Sequence, residues 1–219
     1  MSDDPMERLK AGVARFQEKI FPEQWKLFQD LATRQHPQIL FLTCADSRVN
    51  PNLITQTGPG ELFICRNIGN VVPPHGTQDG SVATVMEYAV EVLGVEHIIV
   101  CGHSNCGAIK SLLDPNDDSQ VPQVTDWLRY AEVARRVAHS MHERNLSSDL
   151  LITATEQNVL AQLNHLRTYP EIAARLSTRR LQLHGWYYDI ASGRIDEYDP
   201  QAGVFVPLVR EVQSKAQVS

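Results

Sequence analysis

Long apolar runs are missing from this chain of 219 residues. No segment approaches the roughly 20 apolar residues that a membrane helix requires. The first residues, MSDDPMERLKAGVARFQEKIF, mix charged with apolar side chains, so we expect neither a membrane span nor a signal peptide. An excess of positive charge is also missing, because 20 Lys and Arg stand against 26 Asp and Glu, a net charge of −6. Nucleic acids and anionic membrane surfaces are therefore disfavoured as partners.

Cysteine is scarce as well, with four residues in the whole chain. So few thiols in a chain of this length, without an export signal, do not predict a disulfide framework. We therefore expect a cytoplasmic protein in which thiol or metal chemistry is available. Internal repeats, low-complexity tracts and linkers are absent from the sequence, and 42% hydrophobic residues suffice for one globular core.

Helical spacing of apolar residues marks residues 1–34. Leu9, Val13, Phe16 and Ile20 follow one another at steps of four, three and four, and a second stripe follows Pro22. These two amphipathic helices need a surface to pack against. The sequence leaves open whether that surface belongs to the same chain or to a sister subunit.

Short apolar runs alternating with helical patterns follow. Three of these runs are predicted to be strands buried on both faces: Ile39 to Cys44, Leu62 to Arg66 and His97 to Gly102. Leu181 to Ile190 and Arg194 to Tyr198 flank a turn and predict a hairpin. The fold class is therefore α/β: a parallel sheet core with an antiparallel edge element, flanked by helices and preceded by a helical arm.

The remaining helices follow from the same periodicity. One helix has an apolar stripe from Val82 to Leu93 and ends at Gly94, and another begins at about Asn105. A loop is predicted over Asp114 to Ser119. Two long helices follow, over Trp127 to Met141 and Asp149 to Leu166.

Three potential metal ligands follow two of the predicted strands. Cys44 closes ILFLTC, whereas His103 and Cys106 follow HIIVC. The carboxyl ends of parallel strands meet at one edge of a sheet, and two thiolates with one imidazole suit zinc. Each residue alone would be read as a buried core residue, which is our reading for Cys65 and Cys101.

A carboxylate and a guanidinium follow Cys44 at steps of two residues, in the run Cys44-Ala45-Asp46-Ser47-Arg48. A guanidinium can hold a carboxylate through two hydrogen bonds. The fourth metal position would then hold water, as in catalytic sites, or Asp46, which would close it. An ordinary ion pair in a loop is the alternative.

With these residues the sequence resembles the β-class carbonic anhydrases. CADSRV and GHSNCGA carry the resemblance, and ELFICRNIGN, MEYAV and LHGWYYDI are similar to further stretches of that family. The resemblance implies a lyase, carbonic anhydrase or carbonate dehydratase, that hydrates carbon dioxide reversibly to bicarbonate and a proton by zinc-bound hydroxide. It also implies a homodimer or a higher homo-oligomer, and one domain over 1–219 with an arm (1–34), a zinc-site core (35–113) and a part with helices and the hairpin (114–219).

The resemblance also implies roles for individual residues. One Zn²⁺ per subunit would be held by Cys44, His103 and Cys106, with Asp46 as fourth ligand in a closed state. Asp46 and Arg48 would form the catalytic dyad. The substrate-binding counterparts are Gln35 (acting across the dimer interface), Phe63, Ile68, Tyr88 and Gly107.

One branch of the family has a second, non-catalytic bicarbonate site, built around a tryptophan and a glycine near the first cysteine ligand. Here Phe41 and Thr43 stand in those positions, although Arg66 is retained. We therefore expect no such regulatory pocket, and an open, water-ligated site near neutral pH.

Three alternatives remain open in the sequence. Gly102 to Gly107 has the glycine spacing of a phosphate-binding loop, but Lys110 comes too late for the usual phosphate contact. The metal could instead be structural, permanently closed by Asp46, or the same ligands could serve hydrolysis of carbon disulfide or carbonyl sulfide. The sequence also leaves open the choice among a dimer, a tetramer and an octamer, and the identity of a proton-shuttle residue.

Overall fold

A computed structural model describes residues 4–77, 80–114 and 121–209. The chain divides into two compact units, Met1–His36 and Pro37–Ser219. Among the described residues, no helix has both the length and the apolar character that a bilayer crossing needs.

The first unit is helical, as predicted. Its elements are α1 (Pro5–Arg15), a π-helical turn (Phe16–Ile20), α2 (Phe21–Glu23) and α3 (Trp25–Leu31). Asp4 caps α1 by accepting a hydrogen bond from the Met6 amide at 2.9 Å. Phe16, Phe21 and Phe28 pack together, with ring centroids 5.3–6.1 Å apart. Not one side chain of these described helices is buried.

A six-stranded sheet lies at the centre of the second unit. Its strands are β1 (Ile39–Cys44), β2 (Leu62–Asn67), β3 (His97–His103), β4 (Gln182–Tyr188), β5 (Ile195–Asp199) and β6 (Val204–Pro207). The described helices are α4 (Pro51–Thr55), α5 (Gly80–Glu87) with a π-helical extension (Tyr88–Leu93), α6 (Gly107–Leu113), α7 (Pro122–Leu128), α8 (Glu132–Glu143), α9 (Leu150–Leu166) and α10 (Pro170–Ser177).

The strand order is β2-β1-β3-β4-β5-β6. The first four strands are parallel and the last two are antiparallel, which confirms the predicted fold class. Because β1 and β3 are parallel neighbours, Cys44 and His103 emerge at the same edge of the sheet. Helices α5, α9 and α10 contribute to the main core on one face of the sheet, and Phe41, Ile99 and Cys101 are buried on the other.

Several local predictions need correction. Strand β2 is not buried on both faces, because it forms the edge of the sheet and only Cys65 in it is buried. Helix α6 begins at Gly107 rather than near Asn105, which has a left-handed backbone (φ 59°). The helical pattern over Trp127 to Met141 is interrupted by a 3₁₀ turn between α7 and α8. Most of the loop predicted over Asp114 to Ser119 lies outside the described residues.

Helix α9 packs closely on the sheet at two glycines. A Cβ at Gly102 would lie 2.9 Å from side-chain atoms of both Thr155 and Val159, and a Cβ at Gly185 would lie 3.0 Å from Val159 and Leu163. Contacts this short leave room only for glycine. Because Gly102 directly precedes His103, this packing fixes the end of the strand that carries the histidine.

A half-buried carboxylate lies on the same helix. Glu156 lines a cavity of about 370 Å³ formed by α9, the segment before it and the strands β5 and β6. Burial, together with the charge of Asp196, raises the pKa of Glu156 to about 7, and Arg194 offsets this only in part. Burial and the neighbouring charges of Asp189, Glu156 and Asp149 in turn raise the pKa of Tyr187.

We expect Glu156→Gln to stabilise the protein at alkaline pH. The folded-state pKa of Glu156 lies above its ordinary value of 4.5. The stability that the protonated carboxyl contributes is therefore lost as the pH rises through about 7, and the glutamine variant lacks this loss. The melting temperature of the variant should match the wild type near pH 5 and exceed it by a few degrees at pH 8, because about 1 kcal/mol corresponds to 2–4 °C in a chain of this size. Calorimetry from pH 5 to 8 measures the difference. Parallel curves for the two proteins would contradict the prediction, and Glu143→Gln, at an exposed position of α8, is the control.

Candidate metal centre

The structure brings the three predicted ligands together. The ligand atoms of Cys44, His103 and Cys106 all lie within 4.8 Å of one another, and all three residues are buried. The two Sγ atoms are 4.0 Å apart. Two sulfurs bound to one tetrahedral zinc at about 2.3 Å lie about 3.8 Å apart. The donor set and its spacing therefore fit a zinc ion.

His103 is oriented for metal binding by its own backbone. Its Nδ1 lies 3.0 Å from the carbonyl oxygen of Ser104, which can only accept, so Nδ1 carries the proton. The other nitrogen, Nε2, is fully buried and has no hydrogen-bond partner. A buried nitrogen without a partner is costly, and a metal ion would satisfy it. This pattern, in which one ring nitrogen is held by a carbonyl and the other is free, is typical of metal-binding histidines.

The two thiols affect one another because they are close and buried. A hydrogen bond from Cys106, with further help from His103, lowers the pKa of Cys44 to about 4. The same contact and burial raise the pKa of Cys106, because a second thiolate would stand beside the first. A divalent cation between the sulfurs removes this repulsion and favours two thiolates. The electrostatics of the pair thus require a cation for both thiols to ionise.

Asp46 and Arg48 form the predicted pair next to this cluster. Arg48 Nε donates to Asp46 Oδ1 at 2.9 Å, and Nη2 donates to Oδ2 at 2.7 Å. The Arg48 amide also donates to Oδ1 at 2.9 Å. These bonds hold the pKa of Asp46 well below its usual value. Since Oδ2 lies 3.8 Å from His103 Nε2, an ionised carboxylate borders the metal cluster.

Arg66 holds the loop that carries these residues. Its Nε donates to the Cys44 carbonyl at 3.1 Å, and its Nη2 donates to the carbonyls of Asp46 and Val49 at 2.7 Å each. This positioning role of Arg66 was not predicted from the sequence, where Arg66 was assigned only to the regulatory pocket. An arginine on the strand beside β1, opposite Thr43 in register, is the signal that could have indicated it.

Helix α9 supports the other wall through buried polar side chains. Asn158 donates to the Gly69 carbonyl at 2.9 Å, and Gln162 accepts from the Val72 amide at 2.9 Å while donating to Asn158 at 2.8 Å. The Gly69 backbone in turn hydrogen-bonds the Cys44 thiolate and contributes to its lowered pKa. These supports were not predicted, although the signal was present in the sequence as two amide side chains four residues apart on the apolar face of a predicted helix.

The predicted substrate residues are only partly brought together. The rings of Phe63 and Tyr88 are 5.9 Å apart, and Ile68 is 44% exposed next to Gly69. Gly107 begins α6 directly after Cys106. Gln35 lies in the first unit and is exposed, so its assignment stays a prediction.

The phosphate-loop alternative does not fit this geometry. Strand β3 continues through His103, which pairs with Tyr188, and the next amide, that of Ser104, donates to the Tyr188 carbonyl at 2.9 Å. Backbone amides that are used in a sheet cannot cradle a phosphate.

Comparisons with known proteins agree on one family. The family model described as carbonic anhydrase matches residues 39–195. A carbonic anhydrase from Pseudomonas aeruginosa is 48% identical over 94% of this chain and 93% of its own length. The solved structure of the β-carbonic anhydrase CcaA aligns with a TM-score of 0.89 and 44% identity, covering 94% of this chain and 92% of the other. A tetrameric β-carbonic anhydrase from Sordaria macrospora aligns with a TM-score of 0.71 and 32% identity, covering 92% and 95%.

Proposed function

The chain belongs to the β-carbonic anhydrase family and is a carbonic anhydrase, and on this premise we propose that it hydrates carbon dioxide reversibly to bicarbonate and a proton at one zinc ion per subunit, held by Cys44, His103 and Cys106. The observation that carries this proposal is the buried cluster of two sulfurs and one unpartnered imidazole nitrogen. A zinc ion held there would lower the pKa of a bound water towards neutrality, as in the unrelated three-histidine carbonic anhydrases.

Asp46 is the proposed hydrogen-bond acceptor that orients the attacking water or hydroxide. Arg48 keeps its carboxylate ionised and aimed, and an ionised carboxylate can only accept hydrogen bonds. It therefore orients the water with a lone pair free for the carbon atom. Because both carboxylate oxygens bind Arg48, a permanently closed site with Asp46 as the fourth ligand is disfavoured, and with it a purely structural role for the metal.

Phe63, Ile68 and Tyr88 are the proposed apolar wall for carbon dioxide, which is uncharged and a weak acceptor. The neighbouring rings of Phe63 and Tyr88, tilted by 31° to each other, and the exposed side chain of Ile68 support this role. Gln35 from a neighbouring subunit would donate to a substrate oxygen, and the Gly107 backbone would line the metal side.

We also propose that the enzyme lacks the regulatory bicarbonate pocket. Phe41 and Thr43 are fully buried, Phe41 packs on Trp186 with ring centroids 5.8 Å apart, and Thr43 donates to the Cys101 carbonyl at 3.0 Å. The guanidinium of Arg66 is engaged with backbone carbonyls. Bicarbonate would therefore have to displace existing contacts of these side chains.

A homo-oligomer is the proposed assembly, because the helices of the first unit bury none of their described side chains although they carry several large apolar ones. A structural neighbour is described as tetrameric. We expect light scattering on the full chain to give a mass of at least two subunits, and a monomeric mass at micromolar concentration would contradict this.

The division into 1–34, 35–113 and 114–219 and the cytoplasmic location are part of the same proposal, and four free cysteines support the location.

The proposed function is tested by stopped-flow hydration of carbon dioxide on purified protein whose zinc content is measured in parallel. We expect activity in proportion to zinc, loss of activity on chelation, and recovery when one equivalent of zinc is returned. Activity that persists in chelated, metal-free protein would contradict the proposal.

A further inference from the structure

A second cluster of metal-binding side chains lies at the opposite end of the sheet. His97 begins β3, whereas His103 ends it, so the two histidines are separated by about 20 Å along the strand. His97, His184 and Glu197 come from the neighbouring strands β3, β4 and β5. His97 Nδ1 lies 3.1 Å from His184 Nε2, and His184 Nδ1 lies 2.7 Å from Glu197 Oε1.

The carboxylate determines which nitrogen of His184 carries the proton. Ionised Glu197 can only accept, so His184 Nδ1 must donate to it. His184 Nε2 then keeps its lone pair and accepts a hydrogen bond from His97 Nδ1 at 3.1 Å. A carboxylate that accepts from one imidazole nitrogen and leaves the other unprotonated is the arrangement that orients histidine ligands in metal sites.

We propose that His97 and His184 form a second metal site, which binds a divalent first-row transition-metal ion with Glu197 orienting His184. Two nitrogens on one ion at bond lengths of about 2.1 Å lie about 3.0–3.4 Å apart, and the observed separation is 3.1 Å. To bind the ion, His97 would carry its proton on Nε2 instead of Nδ1, and a rotation of the two rings would let both lone pairs converge on the ion in place of the shared hydrogen. The absence of sulfur in this trio favours nickel, copper or zinc bound by imidazole and water.

The surroundings provide access and charge for such an ion. A cavity of about 370 Å³ is lined by His184, Glu197 and Asp199, among others. The side chains of His184 and Glu197 are 26% and 32% exposed, so an ion can enter from solvent. The carboxylates of Glu197 and Asp199 beside the cavity attract a cation. The cavity leaves room for water molecules in the remaining coordination positions of the ion. A bound ion would connect β3, β4 and β5 and stabilise the folded state.

Nickel is the probe for this site, since it can be counted separately from zinc. Untagged, zinc-loaded, full-length protein is titrated calorimetrically with Ni²⁺ and then dialysed for elemental analysis. We expect one nickel per chain with the zinc content unchanged. His97→Gln and His184→Gln should each lose the nickel, and Glu197→Gln should bind it 10- to 100-fold more weakly. His142→Gln, at an exposed position of α8, should bind as the wild type does.

A wild type that binds no nickel, or histidine variants that bind as much as the wild type, would overturn the proposal. Retained zinc and an unchanged melting temperature establish that a variant is folded. If His184→Gln fails this check, His97→Gln decides alone. Because nickel stoichiometry is measured independently of carbon dioxide hydration, failure here leaves the proposed function untouched.

Discussion

Replacing Cys106 with serine is expected to remove bound zinc and to reduce carbon dioxide hydration to the uncatalysed rate. A serine hydroxyl stays protonated and is a poor zinc donor, so two protein ligands would remain where catalytic zinc has three. The remaining buried thiol of Cys44 would also lose the partner that lowers its pKa. Elemental analysis and stopped-flow measurement of the same sample test both parts of this prediction.

Cys101→Ala is the matched control for this experiment. Cys101 is also a buried cysteine of the second unit, but it lies within β3 and outside the metal cluster. We expect it to cost some stability, because a small cavity is left behind, while zinc content and rate are retained. A Cys106→Ser protein with full zinc and full activity would show that the cluster is not the catalytic centre.

Asp46→Asn has the second large expected effect, a fall in kcat/KM of about 10²–10³-fold, comparable to the loss of one preorganised hydrogen-bonding group from an active site. The amide group presents hydrogen-bond donors where Arg48 also donates, so the side chain can neither hold the arginine nor accept reliably from water. Zinc content should remain at one per chain, since Asp46 is not one of the three proposed ligands.

Glu132→Gln provides the comparison, because Glu132 binds Arg135 through two hydrogen bonds of 2.6 and 2.8 Å on α8. Breaking this surface pair should change stability slightly and leave the rate unchanged. If Asp46→Asn were as active as Glu132→Gln, the Asp46 pair would be an ordinary surface ion pair.

The central part of the fold was predictable because burial imposes a simple pattern. Strand β1 runs over Ile39–Cys44 as expected, and Asp149 caps α9 by accepting from the Ile152 amide. Strand β6 and α10 were missed. Strand β6 is short and exposed apart from Phe205, so it lacks the alternation that marks a strand, and α10 spans only eight residues.

The ligand cluster was predictable for a different reason. Strand ends in a parallel sheet converge, so Cys44, His103 and Cys106 could be placed together from spacing alone, and family resemblance supplied the roles of Asp46 and Arg48. The supports were not predictable, because they depend on contacts between residues far apart in the sequence. Asn158, for example, reaches the Gly69 carbonyl across 89 positions, and no local pattern encodes such a pairing.

The position of the cluster on two neighbouring strands determines when it can form. Cys44 and Cys106 are 62 residues apart in the sequence, and they meet only after β1 and β3 have paired. Forming this long-range pair costs conformational entropy, because the intervening loop must be closed. A nascent chain therefore cannot complete the binding site until the segment beyond β3 has been synthesised and docked. Binding of the proposed metal would therefore follow the pairing of β1 with β3, and the ion would link the ends of these two strands.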